Sequence, residues 1–210
     1  KVVLANSLEE KINTIKEIYD SYVERDIQNL IHIEKTENFI HLVSVLSSQI
    51  GQLVNKTELS KTLNIDRETL KTYLWYLEKT FIINRINPFF SNIRKELTKM
   101  PLFYFTDIGL RNYNRNQFVT PPDKTVGFLF QNFIYQLLKE SKMFNNSKIN
   151  YWRTKDGAEV DFIAHLGNDI IPIEVKAGKT GKLKSLHMFL RDKKLNFGLR
   201  FNSDLPSIVD

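Results

Sequence analysis

The stretch from residue 157 to residue 176, GAEVDFIAHLGNDIIPIEVK, constrains the fold of this chain more than any other. Two runs rich in Val, Ile and Phe flank Gly167-Asn168, a pair suited to a two-residue hairpin loop. With that loop Asp161 lies opposite Glu174; with Asn168-Asp169 as the loop, Asp161 faces Lys176. In either register strict alternation puts Asp161, Glu174 and Lys176 on one face. Val160, Phe162 and Ala164 fall on the other, with Ile173 and Val175. Two carboxylates opposed in an apolar hairpin repel each other and resist burial. A divalent cation would remove that cost, so Mg²⁺ or Mn²⁺ held by Asp161 and Glu174 is expected, with Lys176 orienting a water or offsetting developing charge. The competing reading is a structural ion network in which Lys176 only neutralises carboxylates.

Composition narrows the chemistry further. The chain has no Cys and four His (His32, His41, His165, His187) without metal-pair spacing. That excludes disulfides, thiol catalysis and Cys-ligated zinc, and leaves a hard, carboxylate-bound metal as the kind the chain can offer. With 210 residues, one or two domains are expected. Net charge is +6, and the basic excess falls after residue 37, which points to an anionic partner. No apolar run approaches the roughly 20 residues of a membrane span, and the first six residues are too short and polar for a signal peptide. A cytoplasmic location and no membrane partner are therefore expected. Without an initiator Met, the chain is expected to begin inside a longer protein.

Cap residues and apolar spacing organise the N-terminal half. Ser7-Leu8-Glu9-Glu10 is a capping box for a helix expected to reach about residue 26. Helices are expected over 38–50, after Asn55, and over 67–79 behind the Asp66 cap, with Asn64-Ile65 as a tight turn. Strands are expected over 81–86 and 102–106, joined by a basic loop. This is the pattern of a winged helix-turn-helix. Its second helix would present Arg67, Thr69, Lys71 and Thr72 to DNA, and the loop with Arg94, Lys95 and Lys99 would be the wing. Winged helices also serve as protein-interaction modules, which is the competing reading. Pro121-Pro122 marks a linker within 114–125. Beyond it a helix over 127–140 is expected to bury Phe130, Phe133, Ile134, Leu137 and Leu138. Strands over 149–153, 160–166 and 170–177, a helix over 182–190 and a strand over 197–201 complete the chain. Trp75 and Trp152 read as core or interface aromatics.

Asp161 and Glu174-Val175-Lys176 resemble the D…E-x-K core of the PD-(D/E)XK nuclease-like fold. Further motifs extend the likeness: residues 21–26, the helix-turn-helix, residues 104–110, Gly127 with Asn132, residues 151–154 and residues 157–161. From about Ser21 to Ala177 the chain is similar to the DUF4143 region, which follows an AAA+-type ATPase core in many bacterial and archaeal proteins. The resemblance implies an α/β chain made of a winged helix-turn-helix and a nuclease-like mixed sheet flanked by helices. It also implies ATP bound only by an N-terminal domain absent from this sequence. Gly178-Lys179-Thr180 has the ending of a phosphate-binding loop, but Ile173 stands where its first Gly belongs. Related sequences carry a Glu on the helix before the sheet; here that position is Gln131, which keeps an oxygen and loses the charge. Glu159 is the residue expected to compensate. The expected domains are a linking helix over 1–37, the winged helix over 38–114 and the nuclease-like domain over 125–210. Expected partners are DNA, the ATPase domain and a protein partner. The alternative to catalysis is a non-catalytic DNA-binding or interaction module on a degenerate nuclease fold.

Overall fold

The computed structural model of the chain describes residues 2–22, 36–118, 123–178 and 183–203. It is a mixed α/β structure. After a single 3-10 turn at Val2–Leu4, its elements in chain order are α1 (Leu8–Ser21), α2 (Thr36–Ser48), α3 (Lys56–Thr62), α4 (Arg67–Lys79), β1 (Ile83–Ile86) and α5 (Ile93–Thr98). Then come β2 (Leu102–Phe105), α6 (Ile108–Arg115), α7 (Asp123–Glu140), β3 (Ile149–Arg153), β4 (Glu159–Leu166), β5 (Asp169–Val175), α8 (Lys184–Lys193) and β6 (Leu199–Phe201). No described helix is long and apolar enough to cross a membrane. Two compact units divide the chain, the first holding residues 1–50, 55–84 and 105–121, the second 51–54, 85–104 and 122–210.

The first unit is mainly helical, and local caps start α1, α3, α4 and α6. Ser7 Oγ accepts the Glu10 N–H at 3.1 Å, while the Glu10 carboxylate accepts from Asn6 N–H at 2.8 Å. The expected extension of α1 to residue 26 lies outside the described residues. Asn55 accepts from the Thr57 and Glu58 amides to open α3, and Asp66 accepts from Glu68 and Thr69 to open α4. Between them Asn64 adopts φ +50°, the left-handed conformation Asn tolerates. Leu70, Tyr73, Leu74 and Leu77 form the buried face of α4, and Tyr73 meets Phe39 of α2 edge-on at 5.4 Å. Helix α6 was not expected from the sequence. It buries Arg111, whose Nε donates to the Ser47 carbonyl at 2.9 Å.

The second unit is built on a four-stranded sheet in the order β3-β4-β5-β6. The first two pairings are antiparallel, and β5 pairs with β6 in parallel after the α8 crossover. Leu166 pairs with Asp169, so the Gly167-Asn168 loop is the one formed, with Gly167 at φ +61°. Strict alternation fails in β4. Asn150 pairs with Ile163 and Trp152 with Val160, so β4 has one residue more than β3 across this step, a β-bulge. In consequence Val160 and Ile163 share a core with Leu186 and Phe189 of α8. Phe162 instead packs against Tyr135 of α7, the rings tilted by 40° with centroids 5.9 Å apart. The expected grouping of Val160 with Phe162 is thereby corrected.

Two further expectations change. The basic segment read as a wing loop is helix α5, and its residues belong to the second unit rather than with α3 and α4. Contacts inside that unit explain why: the Tyr151 amide donates to Asn87 O at 3.1 Å, the Phe89 amide to Tyr151 O at 2.6 Å, and Lys148 pairs with Glu96 at 2.7 Å. Residues 38–114 are thus shared between the two units. On α7, Ile134 and Leu138 are buried as expected, whereas Phe133 and Leu137 are exposed.

Candidate functional site

The hairpin brings its acidic residues to the β4/β5 end remote from the turn. Asp161 and Glu174 are both buried, and Lys176 pairs with Glu174 through Oε1. Asp161 Oδ2 accepts the Val175 amide at 2.7 Å. Its Oδ1 accepts from Gln131 Nε2 at 2.8 Å, and Gln131 Oε1 in turn accepts from the Tyr104 hydroxyl at 3.3 Å. The amide orientation of Gln131 is therefore fixed from both ends: it offers Asp161 a neutral donor, where a Glu would add a third carboxylate.

Electrostatics strain this cluster. Burial, reinforced by the charge of Glu174, pushes the Asp161 carboxyl up to about 7. Burial likewise raises Glu174, against the opposing hydrogen bond and charge of Lys176. Burial works against the Lys176 ammonium, but Glu174 and then Asp161 hold its proton on more firmly than usual. Burial and then Asp161 keep the Tyr104 hydroxyl protonated, as its donor role requires.

Beside Asp161 lies a pocket lined by Gly51, Leu53, Leu102, Tyr104, Gln131, Tyr151, Trp152, Arg153, Glu159 and Val160. Gly51 adopts φ +67°, and a Cβ there would stand 2.9 Å from Phe128 and 3.3 Å from Gln131 Oε1, so only glycine lets this wall form. Sequence reasoning missed Gly51 and Tyr104 as site residues. Tyr104 sat in a recognised motif, but nothing in the sequence ties it to Gln131.

Glu174 Oε2 is buried with no hydrogen-bond partner among the described residues. A buried, orphaned carboxylate oxygen near a second raised carboxyl suits a divalent cation. The donor set is short, however: no three His, Cys, Asp or Glu converge among the described residues. Glu159 does not join it, because it pairs with Arg153 across β3 and β4 at 3.5 Å with both side chains about half exposed. Gly178 lies just past the end of β5; Lys179 and Thr180 lie outside the described residues.

On α4, Arg67, Lys71 and Thr72 are exposed. The Thr69 hydroxyl is engaged, donating to the Asp66 cap, and Lys71 pairs with Glu68 at 3.3 Å. Trp75 is half exposed, with Lys79 Nζ 5.9 Å from its ring centre. Arg94, Lys95 and Lys99 are exposed on and just beyond α5. Trp152 packs edge-on against Phe189 at 5.1 Å.

Residues 1–119, more than half the chain, match the family described as "Domain of unknown function (DUF8612)". The chain belongs to the DUF8612 family. Residues 126–203 of this DUF8612 protein match "Domain of unknown function (DUF4143)", and this segment holds the hairpin, Gln131 and the carboxylates. The DUF4143 likeness expected from Ser21 is thus found from residue 126 onward, and the N-terminal half matches a different family. Uncharacterized proteins of Mycobacterium tuberculosis and Mycobacterium bovis are each 24% identical over 83% of the chain. An uncharacterized protein of Haemophilus influenzae is 25% identical over 75% of it. The chain spans about two fifths of the length of these relatives, 40% of the mycobacterial proteins and 38% of the Haemophilus protein. No solved structure matches it.

Proposed function

We propose that this chain is a DNA-engaging, nuclease-like portion of an AAA+-type ATPase, and that the hairpin cluster serves metal-dependent phosphodiester hydrolysis. The observation that carries this reading is the buried Asp161 and Glu174 pair with its orphaned Oε2 and adjacent Lys176, next to a pocket holding Arg153. Asp161 and Glu174 would hold Mg²⁺ or Mn²⁺, while Gln131 turns its amide nitrogen to Asp161 and its oxygen to Tyr104 and adds no ligand in this orientation. When bound, such an ion polarises a phosphoryl oxygen and acidifies a water. Lys176 orients the attacking water and offsets charge on the phosphoryl oxygens. Arg153, held by Glu159 in a half-exposed pair, exchanges that partner for a phosphate. The Tyr104–Gln131 chain positions Asp161. Arg67, Lys71 and Thr72 on α4 supply contacts to DNA in the manner of a winged helix-turn-helix.

A cleavage assay on single- and double-stranded DNA with Mg²⁺ or Mn²⁺ tests this reading. Cleavage is expected from the wild type and is lost in Lys176→Ala and Asp161→Ala. Failure of the wild type to cleave, with no calorimetric signal for either ion, would sink it. One observation favours a second reading, a non-catalytic DNA-binding module. Gln131 occupies one oxygen of Asp161 with a neutral amide and brings no charge of its own to a cation. Under that reading duplex binding stays steeply salt-dependent without cleavage, and Gln131→Glu strengthens ion binding.

A further inference from the structure

Helix α5 presents its side chains in the reverse of the usual sense. Glu96, the acidic residue among positions 93–100, is 4% exposed, whereas Ile93, Leu97 and Met100 are 58%, 61% and 44% exposed. Ile93 and Leu97 sit at i and i+4 on one face of the helix, and Met100 follows directly after the extended C-cap Lys99. A helix formed only to support its own unit buries such a stripe and leaves the Glu in water.

The reversal is held in place from inside the second unit. Lys148 Nζ lies 2.7 Å from one Glu96 oxygen and 2.8 Å from the other. Asn150 Nδ2 donates to Glu96 Oε1 at 3.2 Å, and Tyr151 Oη donates to the Met100 carbonyl at 2.6 Å. The anchors fix the helix by its acid and by the chain just past its end. The stripe stays outward, flanked by the exposed cations Arg94, Lys95 and Lys99.

We propose that α5 is a docking ridge for an acidic amphipathic segment of a protein partner. Its apolar residues pack on Ile93, Leu97 and Met100, and its carboxylates meet Arg94, Lys95 and Lys99. Charge complementarity selects this occupant. A nucleic acid backbone pairs with the cations but leaves three large apolar side chains in water. A bilayer surface gains little from a helix only about 9 Å long. The proposal is independent of hydrolysis at the hairpin.

The test uses the whole chain and a fluorescently labelled helical peptide of Leu and Glu, with a Leu and Lys peptide of the same pattern as control. Polarisation is expected to rise with the Leu/Glu peptide only and to weaken as salt is added. Leu97→Asp, and the pair Lys95→Glu with Lys99→Glu, are each expected to reduce affinity at least tenfold. Melting temperature in Leu97→Asp stays within about 1 °C of wild type, as befits an exposed side chain. The proposal is overturned if the Leu/Glu peptide does not bind, if the Leu/Lys peptide binds equally, or if Leu97→Asp leaves affinity intact. A fall of several degrees in Leu97→Asp assigns the stripe to folding and also overturns it. Loss of binding to anionic phosphatidylserine vesicles or to duplex DNA in Leu97→Asp, with no peptide binding, assigns the face to a membrane or to nucleic acid instead.

Discussion

Among the described residues the second unit buries carboxylates in two places, and it treats them differently. Glu96 is met by Lys148 at both oxygens and by the Asn150 amide, so its charge is accounted for. Asp161 and Glu174 share a single Lys176 and leave Oε2 of Glu174 without a partner among the described residues. Burial alone therefore does not mark a chemical site. The mark is burial with incomplete compensation, which stores unfavourable electrostatics until a ligand relieves it. Glu96 holds a helix in position; the Asp161 pair holds charge in reserve.

The largest expected effect separates the two clusters by pH. The folded Asp161 carboxyl titrates near 7 and the unfolded one near its ordinary 3.8, so the folded state binds the proton more tightly. Unfolding releases that proton between these values, and stability falls as pH rises through the window, by roughly a few kcal/mol. Thermal melts across that range should show the decline in wild type and a flatter profile in Asp161→Asn. Added Mn²⁺ should restore the melting temperature of wild type, and not of the variant, above pH 7.

Next in size is the compensated cluster. Lys148→Ala strands Glu96 in the interior and is expected to cost about 2 kcal/mol, less than a fully buried pair because Lys148 is half exposed. Adding Glu96→Gln should recover most of the loss in denaturant titrations. If Lys148→Ala is neutral, Glu96 has another compensation and the contrast fails. Gly51→Ala is expected to lose about 1 kcal/mol, since φ +67° and the 2.9 Å approach to Phe128 both oppose a Cβ. It should also loosen the Gln131 contact to Asp161, read as a changed pH dependence of the melting temperature. Smallest is Lys71→Ala on α4, whose exposed partner Glu68 makes a change of about 0.5 kcal/mol or less expected. A larger loss would show that the exposed charges of the first unit are not free for a ligand.

Legibility in the sequence followed the range of the interaction. Asn55 and Asp66 announced α3 and α4 because caps act within three residues. The Gly167-Asn168 turn was readable for the same reason and set the register. The bulge at β4 was not, because an extra residue opposite Tyr151 depends on β3, and the alternation of β4 alone looks regular. Helix α5 hid behind its own reversal: with Glu96 inward and Ile93 and Leu97 outward, it read as a charged loop. Helix α6 hid because its buried residues are Leu110 and Arg111, adjacent in sequence, and Arg111 depends on the distant Ser47 carbonyl. At the site, Asp161, Glu174 and Lys176 were legible as a spaced triad, while Tyr104 and Gly51 join it only through tertiary contact.

The second unit is discontinuous in sequence, and this bears on how the molecule can be dissected. A cut at Pro121-Pro122 looks natural, yet the fragment it releases lacks residues 51–54 and 85–104. It would keep Asp161 and Glu174 but lose Gly51, Leu53, Leu102 and Tyr104, one wall of the pocket. It would also lose Glu96, the partner of Lys148 and of Asn150 Nδ2. An inactive C-terminal fragment would then report a missing scaffold rather than a missing chemistry. Expression boundaries for any assay of this cluster belong before Gly51, even though every acid of the cluster lies after residue 158.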